Sequence, residues 1–148
     1  MTRAYLDACC LSRPFDDRGQ ARVRAESAAV LAILGLVEDE ELAWIGSDVL
    51  DQEIADTPDR ERRAGVEVLM ACPHETKSVG EVEIRRAGQL AALGFGPFDA
   101  LHLARAEAGA ADVFLTTDDR LLGRAQRLGA AIRVFVENPA HWWEMNRE

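Results

Sequence analysis

Phe114-Leu115-Thr116-Thr117-Asp118 runs from an apolar stretch onto an acid, and helical spacing through Leu128 begins at that acid. A strand that ends on a carboxylate and turns straight into a helix is a unit of an open α/β sheet. Such sheets place their ligands beyond the carboxyl ends of their strands. Tyr5-Leu6-Asp7 repeats the arrangement near the start of the chain, and Phe98-Asp99-Ala100-Leu101-His102-Leu103-Ala104 sets an acid at the opening of an apolar helix. Several such carboxylates converging at one sheet edge make a site for a hard cation.

Outward from these stretches, the chain alternates strand and helix patterns. Strands are expected at Ala4 to Leu6, Leu42 to Ile45, Thr76 to Val79, Val113 to Thr116 and Ile132 to Val136. Helical spacing covers Arg22 to Val37, the segment carrying Val49, Leu50, Glu53 and Ile54, the stretch after Pro58-Asp59, Glu81 to Leu93, and Asp99 to about Gly109. Arg13 to Gly19 reads as a loop from its Pro, Gly and charge content. The alternation predicts an α/β fold, a three-layer α/β/α domain over residues 1–148 with a five-stranded, mostly parallel sheet. The tail, with Trp142 and Trp143, is expected to close over the core.

Composition narrows the class. With 48% hydrophobic and 29% charged residues among 148, the chain is an ordinary soluble type, and no apolar run approaches the ~20 residues of a membrane span. Asp7 arrives too early for a signal-peptide core, so the expected location is cytoplasmic. Three cysteines, two of them adjacent, do not form a disulfide framework. Cys72 and His74 lack a second pair at zinc-ligand spacing. A net charge of −9, with Lys77 the only lysine, argues against nonspecific coating of nucleic acid.

Taken singly, the acids have plain explanations. Asp99 and Asp118 are placed to cap helices, Asp7 to satisfy loop amides, and Glu53 to sit in solvent. Together they are harder to dismiss. Two unit charges ~4 Å apart at an effective dielectric of ~20 repel by ~4 kcal/mol, a cost that a divalent cation removes. Oxygen-only ligands point to magnesium or manganese.

Tyr5-Leu6-Asp7, the Ser47-to-Glu53 segment, Phe98 to Ala104 and Leu115-Thr116-Thr117-Asp118 resemble, in order, the four signature stretches of PIN-domain proteins, a family that includes the VapC-type toxins of bacterial toxin–antitoxin pairs. The resemblance runs from about Arg3 to Pro139. It implies a metal-dependent endoribonuclease in which Asp7, Glu53, Asp99 and Asp118 are the catalytic, metal-holding acids, with Mg2+ or Mn2+ as cofactor. Thr116 matches the family's frequent hydroxyl position. Asp119 rivals Asp118, and Asp51 is an out-of-phase rival of Glu53. Hydrolysis would leave a 5′-phosphate and a 3′-hydroxyl.

The chain departs from the family at one place, where Ala8 and Cys9 stand instead of a hydroxyl residue and asparagine. A catalytically lapsed, protein-binding PIN-like module is therefore the alternative reading. A phosphoacceptor receiver domain ranks lower, because Ile132 to Asn138 contains no lysine. Arg13 is a candidate to hold a substrate phosphate, or else a surface arginine paired with Asp16 or Asp17. His102, one turn from Asp99, is read as a packed histidine or a partner of that acid. The expected partners are RNA as substrate, a basic or amphipathic antitoxin protein and a second copy in a homodimer, with no membrane.

Overall fold

Five strands, β1 (Thr2–Leu6), β2 (Leu42–Ser47), β3 (Glu75–Lys77), β4 (Val113–Leu115) and β5 (Phe135–Glu137), pair in the order β3-β2-β1-β4-β5. Every pairing is parallel. The computed structural model describes residues 1–147. Helices cover both faces of the sheet. They are α1 (Ala8–Ser12), α2 (Ala21–Glu38), α3 (Asp48–Ala55), α4 (Arg60–Leu69), α5 (Glu81–Ala92), α6 (Pro97–Ala108), α7 (Asp119–Leu128) and α8 (Pro139–Asn146). Among the described residues no helix is long and apolar enough to cross a membrane.

The two cores follow from the period-2 alternation of strand side chains. Ala4, Leu6, Trp44, Val113 and Leu115 face one way and pack with Val30, Ile33 and Leu34 of α2 and Trp142 of α8. Tyr5, Ile45, Phe114 and Val136 face the other way, against Leu90 of α5 and Leu103 of α6. Strands buried on both sides need apolar residues at successive positions, which is why β1 and β4 read as continuous runs.

β1 is the pivot. The chain leaves it for β2 on one side and returns to β4 on the other, so the direction of winding reverses between β1 and β4. A crevice opens at such a reversal, beyond the carboxyl ends of the two strands. Asp7 follows β1 there and Asp118 lies just beyond β4.

Two local expectations change. The chain does not stay in a loop after Asp7: Ala8–Ser12 is helical, and a 3-10 turn follows at Arg13–Phe15. Burial of Cys10 and Leu11 in the core holds this short helix, which is too brief to be stable on propensity alone. Asp99 does not open its helix. α6 begins at Pro97, whose fixed φ and missing N–H suit a first position, so Asp99 is the third residue of its first turn and caps nothing. The tail closes over the core as expected, as a helix capped by the Asn138 side chain with Trp142 buried and Trp143 packed beside it.

Candidate metal centre

Each acid is delivered by a different element. Asp7 donates its backbone N–H to Leu115 O at 3.1 Å, which extends the sheet by one residue and fixes the carboxylate at the strand end. The residue is buried. Burial pushes its carboxyl above the ordinary value; the His102 imidazole and the Thr116 hydrogen bond oppose this, and the Glu53 charge reinforces it.

Glu53 sits on α3, whose first turn is capped by Ser47: its hydroxyl oxygen accepts the Leu50 N–H at 3.0 Å. The apolar stripe of that helix, Leu50 and Ile54, turns Glu53 partly inward, while Asp51 is exposed on the outer face. Asp51 is thus no rival.

Asp99 is half-buried on α6. Its carboxyl is pushed up to about 6, first by burial and then by the charges of Asp7 and Asp118, with a smaller push from Glu53. Asp118 does cap α7: Oδ1 accepts the N–H groups of Arg120 at 2.9 Å and Leu121 at 3.3 Å. Capping therefore accounts for one oxygen of Asp118 and for neither oxygen of Asp99. Asp119 is tied outward to Arg22 by two hydrogen bonds of 2.6 and 2.8 Å, which hold its carboxyl below the ordinary value.

Thr116, fully buried, joins the strand ends. Its hydroxyl donates to Asp7 Oδ2 at 3.0 Å and accepts the Asp118 N–H at 3.1 Å. Cys9 completes the corner, its sulfur accepting the Thr117 N–H at 3.4 Å and lying 3.4 Å from Thr116 Oγ1. Of the two residues that depart from the family pattern, Cys9 is thus engaged with the strand end that carries Asp118.

Arg13 is anchored by carboxylates: Nε donates to Glu26 Oε1 at 2.7 Å and Nη1 to Asp16 Oδ2 at 3.0 Å. The expected pairing with Asp16 is present, and buried Glu26 is an added partner that the sequence did not reveal. His102 is buried, but its partners are Glu53 and Tyr5 rather than Asp99. Sequence reasoning missed Tyr5 and Ser47 as members of the site. The available signal was that the chain's single tyrosine precedes Asp7 by two residues inside an otherwise apolar strand.

The donor set suits a hard divalent cation. A carboxylate oxygen of Asp7, one of Glu53 and a ring nitrogen of His102 lie within 4.8 Å of one another, and Asp99 feels the charges of Asp7, Asp118 and Glu53. Among the described residues no arginine or lysine forms an ion pair with Asp7, Glu53, Asp99 or Asp118. Crowded carboxylates without an arginine or lysine partner are compensated by protons or by a metal.

A family model described as PIN domain matches residues 4–128. The chain belongs to the PIN-domain family. Solved structures share the fold of this PIN domain across most of its length. VapBC2 from Rickettsia felis, bound to a DNA fragment from its promoter, is 12% identical with a TM-score of 0.61, over 93% of this chain and 98% of that one. FitAcB from Neisseria gonorrhoeae is 17% identical with a TM-score of 0.58, over 93% and 99%. DNA-bound VapBC from Salmonella typhimurium is 16% identical with a TM-score of 0.56, over 94% and 99%. At these identities the likeness is one of fold. No curated protein matches this chain in sequence. PIN domains are generally nucleases, and the acids of this one lie at the switch point of its sheet.

Proposed function

We propose that this PIN domain is a metal-dependent endoribonuclease, acting in the cytoplasm as the toxin of a toxin–antitoxin pair. The observation that carries the reading is the gathering of Asp7, Glu53, Asp99 and Asp118 at the β1–β4 reversal, where burial and then the charges of Asp7 and Asp118 lift the Asp99 carboxyl to about 6. In this reading the four acids hold Mg2+ or Mn2+, which supplies polarisation of the scissile phosphate and activation of water for in-line attack.

The protein's part is placement. Thr116 fixes Asp7 through Oδ2, and the helix cap of Asp118 fixes its plane through Oδ1. Half-burial of Asp99 keeps solvent from screening the cluster. Arg13 contributes a guanidinium for a substrate phosphate: Nε and Nη1 are anchored, and Nη2 has no hydrogen-bond partner among the described residues. No side chain is required to form a covalent intermediate.

The fold likeness to VapBC complexes supports an antitoxin partner. A chain of net charge −9 suits a basic or amphipathic partner segment. The lapsed-module alternative rests on Ala8 and Cys9; Cys9 is engaged with Thr116 and Thr117, and the cleavage assay decides between the two readings.

The test is cleavage of a labelled single-stranded RNA panel with Mg2+ or Mn2+, comparing wild type, Asp99→Asn and an EDTA control. Metal-dependent cleavage by wild type, lost in the variant, supports the reading. Wild type that neither cleaves RNA nor binds either metal overturns it.

A further inference from the structure

Four buried or half-buried polar groups behind the acids form one continuous chain. Ser47 Oγ lies 2.9 Å from Tyr5 Oη, Tyr5 Oη lies 2.5 Å from His102 Nδ1, and His102 Nε2 lies 3.2 Å from Glu53 Oε1. Ser47 and Tyr5 are fully buried and His102 is 1% exposed, so water does not complete their hydrogen bonds. The Tyr5 ring stacks on Phe114 at 5.3 Å, which holds the phenol in line.

Only one arrangement of hydrogens satisfies every member. An ionised Glu53 only accepts, so His102 Nε2 must carry the hydrogen. A neutral imidazole then has Nδ1 as its acceptor, so Tyr5 donates its O–H to Nδ1. Tyr5 Oη next accepts from the Ser47 hydroxyl, whose oxygen already accepts the Leu50 N–H. The opposite direction would strand the Ser47 hydrogen in a dry interior, a loss of ~1–3 kcal/mol.

We infer that His102 is a positioning residue of the metal centre: the Ser47–Tyr5–His102 chain fixes it as an Nε2–H donor that holds the Glu53 carboxylate, and it is not itself a ligand. The inference rests on the proposed function in assigning Glu53 to the cation site. The chain also closes a mechanical loop. It begins at the N-cap of α3 and returns to Glu53 on the same helix, having passed through β1, which leads into Asp7, and α6, which carries Asp99. Carboxylates that ligate a metal are themselves held by hydrogen bonds from groups behind them, and losing such a group weakens metal binding.

Two measurements on the full chain test this. In 15N NMR of metal-free wild type, His102 should show a protonated Nε2 and an unprotonated Nδ1, and should keep that form when Mg2+ is added. A protonated Nδ1, or loss of the Nε2 hydrogen on Mg2+ addition, overturns the inference, the second by making His102 a ligand. For Mn2+ binding, His102→Gln keeps a donor near the Nε2 position and should stay within ~3-fold of wild type, while His102→Asn should bind ~10- to 100-fold more weakly. Equal loss in both variants overturns the positioning role. Failure of the proposed function itself shows separately, as wild type that binds no Mn2+, because the metal-free spectrum reads the hydrogen-bond direction without any cation.

Discussion

The hydroxyl of Thr116 donates to the Asp7 carboxylate at 3.0 Å, linking residues 109 positions apart across the ends of β1 and β4. The same oxygen receives the Asp118 N–H. One side chain therefore sets the spacing of two acids that would otherwise move apart under their own repulsion.

Thr116→Val keeps the shape and removes both hydrogen bonds. It leaves a buried carboxylate and a backbone N–H without partners, and a loss of ~1–3 kcal/mol is expected in urea denaturation of the metal-free protein. Thr116→Ser should recover most of it. Valine that is as stable as wild type would show that the hydroxyl does not hold the corner.

Asp99 makes stability depend on pH in an unusual direction. Its folded carboxyl titrates at about 6, above the ordinary 3.8. Below pH ~4 the group is protonated in both folded and unfolded chains, so its favourable contribution is fully present. As pH rises from ~4 to ~6 the unfolded chain releases its proton first, and this contribution is lost. In thermal melts with EDTA, Asp99→Asn should therefore exceed wild type in Tm at pH 7.5 and match it near pH 4. Added Mg2+ should raise the wild-type Tm more at pH 7.5 than at pH 5, because binding must displace the proton below pH 6. A Mg2+ effect equal at both values would exclude Asp99 from the cation site.

Asp118 and Asp119 are adjacent and oppositely employed. Asn caps helices as well as Asp does, so Asp118→Asn should fold normally. Its RNA cleavage should drop on the order of 10²-fold, as when one electrostatic contact is removed from an active site. Asp119→Asn removes only the exposed pair with Arg22 and should keep wild-type cleavage. Steady-state rates of the two variants decide, and the reverse ranking would move the fourth acid by one residue.

Glu26 anchors the rim. Buried in α2, it receives Arg13 Nε at 2.7 Å, Arg22 Nε at 3.1 Å and Asn138 Nδ2 at 2.5 Å. Glu26→Ala removes a buried carboxylate shared by half-buried Arg13 and exposed Arg22, which keep Asp16 and Asp119 as partners, and should cost ~1–3 kcal/mol in urea denaturation. A loss below ~1 kcal/mol, the scale of surface pairs, would show that these contacts are slack in solution.

What the sequence determined by itself was everything carried by local pattern. Continuous apolar runs at Ala4 to Leu6 and Val113 to Leu115 specify strands buried on both faces, and the helical periodicity between them specifies covering layers. Acids at the ends of those runs mark the sheet edge. The folded chain is needed wherever a role depends on partners far away in sequence. Asp99 and Asp118 read alike as helix caps, and only the start of α6 at Pro97 separates them. His102 read as a core residue or a neighbour of Asp99; its link to Glu53 spans 49 positions and its link to Tyr5 spans 97. Arg13 showed a local partner in Asp16 but not the buried Glu26 that α2 brings to it. Periodicity records which side of an element is buried. Which polar groups meet inside is decided by the packing of one element on another, and no single stretch of chain contains that information.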